Sequence, residues 1–134
     1  VARHWVLKTE PSEYGFPDLV RDRRTRWEGV SNPVALKHLR SMLEGDDGLI
    51  YHTGKEKALV GLARVASAPY PDPKDPKLVV VDVEPVKPLP RTVPLAEIKA
   101  EPAFAELGLV RVPRLSVVPV EPVQWKRLLA MAGL

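Results

Sequence analysis

Apolar positions in this chain fall into short β-branched runs separated by stretches with helical spacing. His4-Trp5-Val6-Leu7-Lys8-Thr9 predicts a first strand, closed by Glu10-Pro11-Ser12. Phe16 to Arg21 reads as one or two helical turns, with Pro17 tolerated early in a helix. Asn32 as cap, Pro33 at the first helical position, and Val34, Leu36, Leu39, Met42 and Leu43 predict a helix to about Leu43. Gly45-Asp46-Asp47-Gly48 then turns into a strand over Leu49–His52. Gly54-Lys55-Glu56-Lys57 reads as a hairpin-like turn into a longer strand over Leu59–Ala66.

Four prolines between Pro69 and Pro76 predict a loop and exclude a central strand. Leu78–Val86 is the clearest strand in the pattern. Short helices are expected over Pro94–Lys99 and Ala103–Glu106, a last strand over Leu115–Val120, and a terminal helix from Pro122 to Ala132. Strands with helices inserted between them, and no regular βαβ alternation, predict an α+β fold: one curved sheet or small barrel. Residues 1–134 read as a single domain without repeats or linkers.

Composition narrows the function classes. With 45% apolar and 28% charged residues, the chain is of the globular kind. No apolar run approaches the roughly 18 residues of a membrane span and no signal segment opens the chain, so a cytoplasmic protein without a membrane partner is expected. Absence of cysteine excludes disulfides, a thiolate nucleophile and Cys-ligated zinc. Fifteen prolines, two Met, one Asn and one Gln form a thermophilic bias. The formal charge of +3 tilts the molecule toward anionic partners. Its densest basic cluster, Arg21, Arg23, Arg24 and Arg26, is expected to form a positive edge suited to phosphates, although interspersed Asp22 and Glu28 also fit a solvated helix end.

Catalytic chemistry is not indicated. Glu10 with Glu13, and Asp46 with Asp47, lack a partner base at telling spacing. His4, His38 and His52 show no metal-ligand spacing, so neither a metal nor a cofactor is expected. Ser116 and His52 have no nucleophile-elbow motif to support a triad, and the eight glycines form no phosphate loop. What remains suits the holding of a planar ligand. Asn32, the chain's only asparagine, lies five residues after Trp27; the pair reads either as a helix cap beside a core ring or as an amide beside a stacking surface. His52, Thr53 and Ser116 add further polar groups, and Lys8 or Glu10 can face a ligand edge.

Four ordered motifs then carry a resemblance. They are Trp5-Val6-Leu7-Lys8-Thr9-Glu10-Pro11, Arg26-Trp27-Glu28-Gly29-Val30-Ser31-Asn32, Tyr51-His52-Thr53 and Arg114-Leu115-Ser116-Val117-Val118-Pro119-Val120. Their order and spacing resemble the EVE domain family from about Trp5 to Leu129. The resemblance implies a PUA-like fold, a mixed β-barrel or curved sheet with peripheral helices. It implies a non-catalytic module that reads a modified nucleobase, with modified cytosine in DNA favoured and RNA modifications also considered. Carried over motif by motif, the base-binding set is Lys8, Glu10, Trp27, Val30, Asn32, His52, Leu115 and Ser116. The chain departs from the family pattern at Ser31, where Arg is common, at Pro33-Val34, in the short Pro73–Lys77 loop, and at Thr53 in place of Ser.

The expectation is thus a monomeric nucleic-acid reader in which Trp27, Asn32, His52 and Ser116 line one concavity. The arginine cluster should stand at its mouth. An enzyme or accessory subunit acting in nucleotide or RNA modification, and an adaptor for a small metabolite, are the alternatives.

Overall fold

The computed structural model describes residues 3–134. Its strands are β1 (His4–Thr9), β2 (Thr25–Trp27), β3 (Asp47–His52), β4 (Ala58–Val65), β5 (Tyr70–Asp72), β6 (Asp75–Pro94) and β7 (Val117–Val120). The helices are α1 (Phe16–Asp22), α2 (Pro33–Ser41), α3 (Leu95–Lys99), α4 (Gly108–Arg111) and α5 (Pro122–Met131). The strands form one sheet in the order β2-β6-β4-β3-β1-β7, with β5 paired to β6 beside this path. β1 runs parallel to β3, and every other pairing is antiparallel. The sheet curls into a half-barrel with helices around it, so the expected α+β architecture is the one the chain forms.

Central position explains why β1 does not alternate. Trp5, Val6 and Leu7 are all buried, as a strand covered on both faces requires. The same burial governs the polar anchor of Trp5. Trp5 Nε1 donates to Asp46 Oδ2 at 3.0 Å, and the Leu43 N–H donates to the same oxygen at 3.0 Å. Asp46 itself is buried, and its charge is met by Arg3 Nε at 3.5 Å. Of the paired carboxylates Asp46 and Asp47, already set aside as catalytic groups, Asp46 is thus structural, tying β1 to the turn before β3.

β6 runs 20 residues, well past the expected end at Val86. Proline removes a ladder donor, so its place in a strand is normally an edge or a bulge. Here Pro85 lies opposite Ala63 and Pro88 opposite Gly61, and the β4–β6 register shifts beside both pairs. Bulges therefore accommodate the prolines and bend the strand. The proline-rich loop also contains β5, a three-residue edge strand whose Tyr70 and Pro71 pair with Val80 and Val79. The helix expected at Ala103–Glu106 is a single 3-10 turn over Pro102–Phe104, and β7 begins two residues later than expected, leaving Leu115 and Ser116 ahead of it.

One close approach fixes α1. A Cβ at Gly61 would lie 2.3 Å from the Phe16 ring, so β4 needs glycine where α1 docks. Among the described residues, no helix is long and apolar enough to cross a membrane.

Candidate functional site

The C-terminal end of β1 is where distant segments meet. Because β7 runs antiparallel to β1, the Lys8 N–H reaches the Ser116 carbonyl at 2.9 Å, which brings the Leu115-Ser116 motif beside the first one. β2, held on β6 with Trp27 opposite Val81, supplies the facing wall. Gly29, at φ 83, turns the chain back after Glu28 so that Val30 points inward. The result is a concavity of about 320 Å³ lined by Lys8, Tyr14, Arg26, Trp27, Val30 and Ser116, among others. Trp27 is 7% exposed and Val30 8%, so the floor is apolar and the rim polar.

Lys8 is held on two sides. Its Nζ donates to the Pro113 carbonyl at 2.8 Å and stands 5.6 Å from the centre of the Tyr51 ring. Burial lowers its ammonium below the usual lysine value. Tyr14, which the sequence motifs did not single out, donates its hydroxyl to Asp22 at 2.9 Å while its backbone carbonyl accepts from the Thr9 hydroxyl at 2.5 Å. Burial raises the Tyr14 phenol above its ordinary value. Its signal in the sequence was an aromatic residue in the turn that closes the first strand.

Other members of the expected set go elsewhere. Asn32 Oδ1 accepts from the Val34 and Ala35 N–H groups at 2.9 and 3.1 Å, which makes it the cap of α2; it does not line the concavity. His52 is buried at the C-terminal end of β3, level with Thr9. Its Nε2 accepts the Phe16 N–H at 2.9 Å and its Nδ1 stands 2.6 Å from Glu56 Oε1, so the proton sits on Nδ1 and both nitrogens are used. The imidazole holds the start of α1 and does not join Trp27. Leu115 turns into a separate groove of about 460 Å³ beside His38 and Glu121. The expectation that Trp27, Asn32, His52 and Ser116 share one concavity is therefore corrected: Trp27 and Ser116 do, together with Lys8 and Val30.

Glu10 is committed to its neighbours. One carboxylate oxygen accepts from the Thr53 hydroxyl at 3.0 Å and the other from the Ser12 hydroxyl at 3.0 Å. These bonds, Thr53's first, lower its pKa. A folded-state pKa below the unfolded one means the contribution is present above the unfolded value and is lost as pH falls through the folded one. Glu10→Gln should therefore flatten the acid limb of stability against pH, as read from melting curves taken from neutral pH down through the carboxylate range; an unchanged acid limb would show that these bonds carry no linkage.

The arginine cluster also divides. Arg21 pairs with Asp18 and Asp22 at 3.1 and 3.0 Å, and Arg24 pairs with Asp82 at 2.9 Å and Glu84 at 3.7 Å. Arg23 is the left-handed C-cap of α1 at φ 66. Arg26 is the one of the four that lines the concavity, 3.5 Å from Glu28. A single positive edge does not form, because neighbouring carboxylates meet three of the four charges. Among the described residues, no three of His, Asp and Glu are placed to hold a metal ion.

Comparison with known proteins follows the same geometry. Human thymocyte nuclear protein 1 is 30% identical over 75% of this chain and 57% of its own length, and the chicken protein of that name is 32% identical over 72% and 51%. The chain thus spans about half the length of these curated relatives. A solved structure from Rhodopseudomonas palustris superposes with a TM-score of 0.93 at 39% identity, covering 99% of this chain and 94% of that one. The human THYN1 protein, solved in complex with 5-methylcytosine-containing DNA, gives a TM-score of 0.89 at 26% identity, with 98% of each chain covered. Residues 3–131, which include every strand and the whole wall of the concavity, match the family model described as EVE domain, and the chain belongs to that family.

Proposed function

We propose that this chain is a non-catalytic reader of a modified base in DNA, with methylated cytosine the favoured ligand, and that the base enters the concavity between Lys8, Trp27, Val30 and Ser116. The observation that carries this reading is the likeness, over 98% of both chains, to the human THYN1 protein solved with 5-methylcytosine-containing DNA. The chemistry of the site supports it. A volume of about 320 Å³ lies within the range of small-ligand pockets, roughly 300–1,000 Å³. Trp27 and Val30 give apolar surface for a ring and a methyl group, while the Ser116 hydroxyl and the rim charges can meet a polar edge.

Burying one methyl group against Trp27 and Val30 contributes about 0.8 kcal/mol, or about fourfold in Kd. Titration of matched duplexes should therefore show tighter binding to 5-methylcytosine than to cytosine by at least about fourfold. The same titration with modified and plain RNA tests the strand type. Equal affinity for the methylated and plain duplexes would overturn the reading, and a new product after incubation would overturn its non-catalytic part.

A further inference from the structure

The concavity that holds Trp27 is not isolated. Lys8 also lines a second one, of about 270 Å³, on the other side of its side chain. There it is joined by Lys57 from the β3–β4 turn and Lys99 from the end of α3. No carboxylate lines this second concavity, and among the described residues neither Lys57 nor Lys99 stands in an ion pair. One contact holds this rim in place. The Leu95 N–H donates to the Lys57 carbonyl at 2.8 Å, which ties α3 to the turn. Lys57 itself adopts φ 46, a left-handed conformation in which glycine or asparagine is less strained than lysine. Glu10 stands close to Gly54 in the same turn, but its oxygens are taken by Thr53 and Ser12.

Resting on the base-reading function above, we propose that Lys8, Lys57 and Lys99 form the phosphate site of this protein, which takes the sugar–phosphate backbone flanking the bound nucleotide. The strand then leaves the base site across Lys8 toward the β3–β4 turn, not along Arg21–Arg24. Arg21 and Arg24 there already have carboxylate partners, whereas an unpaired lysine releases condensed counterions when it meets a phosphate. Lysine serves here as a point charge, which needs no fixed orientation along a flexible backbone.

The test compares the parent with Lys57→Asn/Lys99→Gln, and with Arg21→Gln as the control, using a 5-methylcytosine oligonucleotide at several salt concentrations. The double variant should lose roughly 0.7–0.9 units of salt slope for each phosphate contact removed. Its melting temperature should not fall, because asparagine is at ease at the strained position. Arg21→Gln should keep the parent slope. Equal slopes for parent and double variant overturn the phosphate site and leave the base reading standing. A parent that loses slope in the double variant yet binds methylated and plain strands alike upholds the phosphate site and sinks the base reading. A parent that binds no oligonucleotide overturns both.

Discussion

Trp27→Ala should weaken binding to every strand the protein accepts by about one to two orders of magnitude, the equivalent of roughly 1–3 kcal/mol for a lost stacking surface. The same substitution should cost about 3–5 kcal/mol of stability, because the ring is 7% exposed and belongs to the main hydrophobic cluster. The two effects need separating. Trp27→Phe keeps an aromatic face while shrinking the ring, so it should retain most of the binding and lose less stability. Calorimetric titration of both variants, each checked for folding by its denaturation curve, decides the matter. If Trp27→Ala remains folded and binds as the parent does, the base does not meet this ring.

Gly61→Ala should be the most damaging single-methyl change in the sheet. The added carbon would lie 2.3 Å from the Phe16 ring, with two further ring carbons within 2.6 Å, and overpacking of this kind costs roughly 1–3 kcal/mol and at times more. Phe16 cannot simply step aside. Its N–H is held by His52, and α1 continues from it to the Asp22 carboxylate that accepts from Tyr14 in the wall of the Trp27 concavity. Loss of ligand affinity should therefore accompany the loss of stability. Chemical denaturation of Gly61→Ala, Phe16→Ala and the double variant checks this: the double variant should be less destabilised than the sum of the two. Additive losses would show that the ring and the glycine are independent.

Patterns that depend on near neighbours in sequence were legible from the start. β1, β3, β4, α1, α2 and α5 lie within a few residues of where periodicity, Pro33 and the Asn32 cap place them. β2 and β5 were not legible, since three residues carry no period and each strand is defined by its partner β6. The second half of β6 was hidden because its prolines are tolerated only through bulges that β4 supplies.

In the site, motif membership identified which segments meet but not which side chains face inward. His52 is level with Thr9 in the β1–β3 ladder, yet its ring turns toward α1, where a buried N–H needs an acceptor. Asn32 is spent on the cap. The arginine cluster was misleading in part for a similar reason: Arg24's carboxylate partners Asp82 and Glu84 are remote in sequence and arrive only with β6. Lys57 and Lys99 gave no sign at all, being ordinary lysines until the turn and α3 are brought together.

The place of β1 between β3 and β7 has a consequence for how the chain acquires its structure. Its first partner is at hand early, but the second lies far along the chain: Lys8 and Pro113, which bond to each other, are 105 positions apart. Pairings at such separation close large loops before they gain any contact, so they form slowly and late. The open flank of β1, apolar on both faces, is a sticky edge until β7 covers it. Ser116 joins Lys8 in that same step, so the concavity is completed and the exposed edge covered at one moment, when β7 docks.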